Sequence, residues 1–167
     1  DEYGTRTLME EKNSSNTVIG STTYGYNSYH QLNSETRVFN GLSGTFKVEY
    51  QYNLAGGLKT MTYTVGSWVK NVNYAYNYAG GLTGVGTDIV SGASSSNSTN
   101  VATSFSYRGF GAVKAKTYGK GQVMSASYDA KRLQLTNQTW QKSGTVIVNK
   151  DYDYYNGGNN NGRIQKI

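Results

Sequence analysis

The chain has no cysteine, so no disulfide staples it and no thiolate binds a metal. Stability must therefore come from hydrogen-bonded ladders and packing, and the redox compartment is left open. Charged residues are scarce at 16%, and apolar residues make up only 36%, so the core is not mainly aliphatic. No apolar run approaches the roughly 18 residues of a helical membrane span. The opening residues do not read as a secretory leader, and the chain starts on Asp1 rather than Met, as expected of a processed product or a piece of something longer. Runs of Ala, Leu, Glu and Lys that would sustain a helix are few. There is one histidine, His30, and the ten acids are scattered.

Tyrosine and glycine fill the gap, with 16 and 21 copies. Tyr, Thr and Val favour strands, whereas Gly and Asn favour turns. The class is all-β, and the 167 residues suit one domain or one run of small repeats. The net charge of +6 is uneven. Between Arg108 and Lys150 lie eight basic residues and a single acid, Asp129. Lys114, Lys116, Lys120, Lys131 and Arg132 form a candidate patch for an anionic ligand, set against the plainer role of lysines that guard strand edges.

A repeat is visible. Tyr50-Gln-Tyr52-Asn53-Leu-Ala-Gly56-Gly57-Leu58 matches Tyr74-Ala-Tyr76-Asn77-Tyr-Ala-Gly80-Gly81-Leu82. Looser copies run through Tyr24, Tyr26 and Asn27, through Tyr107 and Gly111, through Tyr128, Asp129 and Leu133, and through Tyr152, Tyr154, Gly162 and Ile164. Counting the second tyrosines as 26, 52, 76, 107, 128 and 154 gives a period of about 25, enough for two strands and two connections. Tyr-x-Tyr places two rings on one strand face, because side chains alternate. Asn or Asp opens a turn by bonding its own backbone, and glycine supplies positive φ. Leu, Val or Ile then opens the return strand on the buried side. The expected product is a meander of about a dozen antiparallel strands. A flexible loop is expected near residues 91–100, where Ser and Asn accumulate.

These units resemble the YD repeats of RHS proteins, whose pattern is roughly Tyr-Asp-x-x-Gly-Arg-Leu. The resemblance rests on Tyr52-Asn53…Gly57-Leu58, Tyr76-Asn77…Gly81-Leu82, Tyr128-Asp129…Arg132-Leu133 and Gly162-Arg163-Ile164, and it extends from about Tyr3 to Ile167. It implies tandem hairpins in a curved or spiralling sheet, a partial β-shell, with a bacterial extracellular or cell-surface location. It implies a structural role rather than an enzymatic one. Such shells need many more repeats than the six or so found here, and no segment resembling a toxin domain is present.

Catalytic, cofactor and metal sites are not expected. His30 occupies a turn position and has no marked partner for a triad. Asp151 and Asp153 lie two apart but occupy repeat positions. The Gly109-to-Lys114 stretch imitates a phosphate loop but lacks a following helix. The partial repeats at the two ends predict unpaired strand edges. The expected partners are neighbouring subunits or flanking repeats of a longer chain, with polysaccharide as a further candidate and nucleic acid disfavoured. Three roles follow: a shell or scaffold segment, a subunit of a self-assembling filament joined through its terminal strands, and a glycan-binding surface module.

Overall fold

The computed structural model describes residues 3–91, 99–156 and 158–167. Residues 92–98, most of the expected flexible loop, lie outside the described residues. Among the described residues there is no helix. Twelve strands form one antiparallel sheet in sequence order, with no crossover. They are β1 (Leu8–Lys12), β2 (Val18–Tyr26), β3 (Leu32–Phe39), β4 (Phe46–Tyr52), β5 (Leu58–Val65), β6 (Trp68–Tyr76), β7 (Leu82–Ser91), β8 (Thr99–Tyr107), β9 (Val113–Tyr118), β10 (Gln122–Tyr128), β11 (Leu135–Lys142) and β12 (Thr145–Asp151). A small separate hairpin follows, β13 (Tyr155–Asn156) and β14 (Asn159–Asn160). The sheet does not close on itself, so β1 and β12 are its edges.

The chain divides into two compact units. The first comprises residues 1–75 and 86–99, the second residues 76–85 and 100–167.

In the first unit one sheet face is aromatic and the other polar. Tyr24, Glu35 and Val48 stand opposite one another across β2, β3 and β4, as do Tyr50 and Met61 across β4 and β5. Residues directly opposite share a face. Tyr50 donates to the Glu35 carboxylate at 2.7 Å, and Tyr74 to the Met61 sulfur at 3.4 Å. On the other face Thr60 bonds Asn73 at 3.1 Å and Thr62 bonds Asn71 at 2.8 Å. The Asn73 amide continues this ladder to Asp88 at 2.6 Å.

In the second unit Met124 and Ala126 are buried on one face of β10, and Ser125 faces the other way to bond Thr139 at 2.6 Å. Lys116, opposite Met124, lies over the rings of Phe105 and Tyr118 at 5.7 and 5.0 Å.

Among the described residues only Gly20, Thr22, Ala102, Met124 and Ala126 are buried, and no large side chain is fully enclosed. This single layer has little interior. Half-buried rings, cross-strand pairs and the backbone ladder carry its stability.

Candidate functional surface

The repeat is a turn with a fixed hydrogen-bond plan. After β4 the Asn53 N–H donates to the Gly57 carbonyl at 2.8 Å, and the Gly56 N–H donates to the Asn53 carbonyl at 3.0 Å. The Asn53 side-chain oxygen accepts from the Ala55 and Gly57 N–H groups at 3.0 and 2.8 Å. Asn77 after β6 and Asn27 after β2 do the same. Arg108 after β8 closes the identical backbone ring without a side-chain acceptor. The turn thus forms from backbone geometry, and an Asn adds two further bonds. In each unit the strand-ending tyrosine pairs with the residue that opens the return strand: Tyr26 with Leu32, Tyr52 with Leu58, Tyr107 with Val113.

Several expected positions are corrected by this plan. The left-handed residue is Gly56 (φ 79°) and Gly80 (φ 77°). Gly57 and Gly81 instead lie against the Asn side chain, where a Cβ would meet the amide nitrogen at 3.0 Å. Gly111 does hold the left-handed place, at φ 88°. His30 holds it at φ 58°, with its ring 4.5 Å from that of Tyr3. At Asp129 the turn is one residue longer. Leu133 takes the left-handed conformation (φ 58°) on the surface, and Leu135 pairs with Tyr128 in its stead.

In the last unit the strand ends before Tyr154, the second tyrosine of the sequence pattern. Asp153 opens the turn: its N–H donates to the Lys166 carbonyl at 3.0 Å, and its side-chain oxygen accepts from the Tyr155 N–H at 2.9 Å. Tyr152 therefore holds the strand-ending place, and Tyr154 lies within the turn. The β13–β14 hairpin is an insertion inside that turn. Gly162 is left-handed within it (φ 83°), and Ile164 is exposed and outside any strand. Ile167, next after Lys166, stands where Leu58 follows Gly57.

A seventh turn of this kind was not foreseen. Asn13 closes onto Thr17 and accepts from the Ser15 and Thr17 N–H groups, with Asn16 left-handed at φ 61°. Lys12 replaces the tyrosine before it, so only Asn-x-x-Asn-x-Val could have marked it.

The strand-ending tyrosines bind the hairpins to one another. The Tyr52 hydroxyl donates to the Leu32 carbonyl at 2.7 Å, Tyr107 to Leu82 at 2.7 Å and Tyr128 to Val113 at 2.9 Å. Each acceptor opens the return strand of the preceding unit. Tyr26 reaches the Arg6 carbonyl at 2.9 Å, and Tyr152 departs by donating to the Gln138 side chain at 3.0 Å.

The titratable groups follow the same plan. Burial first, then the Glu35 carboxylate it bonds, pushes the Tyr50 phenol well above its ordinary value. Burial also acts to raise Tyr118, but the Trp140 indole N–H and the Lys116 ammonium prevail and hold it below 10. The backbone N–H groups of Arg132 and Lys131 hold Asp129 below its ordinary range. Both oxygens of Asp151 accept amide hydrogens, from Asn137 and Asn149. His30 faces a tyrosine ring rather than an acid. Among the described residues no three His, Cys, Asp or Glu groups cluster as metal ligands would.

The basic residues do not converge. Lys120 lies in the turn before β10 and Lys131 and Arg132 in the turn after it, at opposite ends of that strand. Lys116 is spread over two rings, Lys114 is exposed on β9, and Arg132 donates to the Asn160 carbonyl at 2.9 Å.

One edge strand is exposed along its whole length. All seven residues of β12 are exposed, including Val146 at 51%, Ile147 at 55% and Val148 at 40%. The other edge, β1, carries Glu10, Glu11 and Lys12.

No family model and no curated protein matches the chain. Solved structures do. The crystal structure of TcdB2-TccC3-Cdc42 superimposes with a TM-score of 0.60 at 15% identity, over 89% of this chain and 7% of that one. TcdB2-TccC3, and TcdB2-TccC3 without its hypervariable C-terminal region, give the same TM-score and coverage at 16% identity. At such identity the likeness shows the fold alone: an array of antiparallel hairpins in one sheet. The chain spans a small fraction of the length of those proteins.

Proposed function

We propose that the chain is a non-enzymatic structural segment of an RHS/YD-type shell or scaffold, and that it joins a neighbouring hairpin unit along the free edge of β12. The observation that carries this is the Asp153–Lys166 bridge. It repeats the closure of Asn53 on Gly57 and sets Ile167 in the place of Leu58, so a strand continuing from that point runs antiparallel along β12 in the register of every earlier unit. The exposed apolar run Val146-Ile147-Val148 in β12 supports the same reading, since a free edge normally interrupts such a run with charge. The acids and the histidine occupy turn and ladder positions, which favours a role without catalysis. The bacterial surface location implied by the resemblance belongs to this proposal.

The test is to extend the chain. Residues 59–76 are copied after Ile167, supplying one further hairpin in register. In a repeat array each added unit contributes its own interface. The urea midpoint is expected to rise within a single cooperative transition. An unchanged midpoint, or a separate transition for the added hairpin, contradicts the proposal.

The exposed valines also favour a second reading, in which another copy of the chain covers β12. Such a head-to-tail contact does not close and would build a filament. Electron microscopy of the concentrated chain decides it: filaments support this reading, and a stable monomer refutes it.

A further inference from the structure

The first unit holds a groove of about 690 Å³ between two successive turns, the one after β2 and the one after β4. Five of its ten lining residues are Asn or Gln, three are Tyr, and none carries a charge. The volume falls within the roughly 300–1,000 Å³ usual for small-molecule sites.

Its polar groups divide into two sets. Asn27 is fully committed to the turn: its oxygen accepts from the Tyr29 and Gln31 N–H groups at 2.9 and 3.0 Å, and its amide donates to the Gln31 oxygen at 3.0 Å. That bond orients Gln31 and leaves its amide nitrogen directed across the groove, 3.5 Å from where a Cβ on Gly56 would sit. The side-chain amides of Asn33 and Gln51 have no partner among the described residues. Both residues line the groove, and each amide presents a donor and an acceptor together.

Tyr29 supplies an apolar surface beside them. Its side chain is 81% exposed, yet its backbone is pinned to Asn27. An aromatic ring held out at a groove mouth is a platform with an apolar face and a hydroxyl at its rim. Paired amides match vicinal hydroxyls, which also donate and accept together. The ring matches the C–H face of a pyranose. The lack of charge selects a neutral ligand.

We infer that this groove binds a neutral saccharide of one or two rings. The site is separate from the lysines of the second unit and does not depend on what covers β12.

The experiment titrates the full chain, labelled with nitrogen-15, with the neutral disaccharides maltose, cellobiose, lactose and N,N′-diacetylchitobiose. One of them is expected to shift the amides of residues 29–33 and 53–56, with affinity on the order of millimolar. A neutral ligand's affinity should hold between low and high salt, because no charges are being screened. Tyr29→Ala and Gln51→Ala change exposed side chains and leave the turn bonds in place. Each is expected to weaken binding about tenfold, whereas Tyr78→Ala, at the tip of another turn, leaves it unchanged. The inference is overturned if no member of the panel shifts these amides, if Tyr29→Ala leaves the affinity unchanged, or if salt abolishes binding. Extended peptides serve as the competing probe, and their binding here in place of every saccharide would also overturn it.

Discussion

At the residue scale the turn separates two glycines that look equivalent in sequence. Gly56 has φ 79°, where a side chain costs roughly 1–2 kcal/mol. Gly57 lies in ordinary backbone, and Gln31 and Ala112 occupy its place in other units. Its Cβ would press only on the Asn53 amide, at 3.0 Å. Gly56→Ala should therefore lower stability by about 1–2 kcal/mol in urea denaturation, and Gly57→Ala by clearly less. Equal losses would mean that the left-handed conformation is not what the turn requires. Asp129 gives a second check. Two backbone N–H groups depress its folded pKa below the ordinary 3.8. Its contribution is therefore present above that value and is lost as pH falls through the folded pKa, since the unfolded chain takes up the proton first. Asp129→Asn keeps an acceptor in the turn but removes the titration. The variant should show a smaller loss of stability on acidification below pH about 4 than the parent chain, measured as the urea midpoint against pH.

At the scale of the strand and hairpin, the fold was legible because alternation is simple to read. Thr45 to Tyr52 alternates along β4, and the paired Tyr-x-Tyr-Asn-x-Ala-Gly-Gly-Leu units announce their own hairpins. Register was harder. A one-residue insertion at Asp129 moves the pairing residue from Leu133 to Leu135, and composition does not reveal that slip. Tyr152 and Tyr154 share one Tyr-x-Tyr pattern, and only the closure of Asp153 on Lys166 shows which of them ends the strand. The turn at Asn13 was hidden by Lys12 in the tyrosine position. The clasps between hairpins were not legible at all, because their acceptors are main-chain carbonyls that carry no sequence mark. The saccharide groove is also assembled from two turns, neither of which signals it alone. The clasp has a direct test. Tyr52→Phe removes the hydroxyl bonded to Leu32 and keeps the ring, so it should cost about 1 kcal/mol in equilibrium unfolding. Gln51 on the same strand makes no such bond, and Gln51→Ala should cost less. A Tyr52→Phe variant as stable as the parent would remove the clasp from the account.

At the scale of the whole molecule, a sheet with almost no interior depends on what borders it. Twelve strands follow one another without crossover, and the order ends at β12 with one row of backbone groups unpaired. The Asp153–Lys166 closure after β12 repeats the geometry that precedes each return strand, and Val146, Ile147 and Val148 are exposed. Amide hydrogen exchange along β12 tests this most directly, comparing the chain with the version extended by residues 59–76. The account predicts that alternate β12 amides exchange rapidly in the chain alone and become protected in the extended chain. Unchanged exchange along β12 in the extended chain would contradict it.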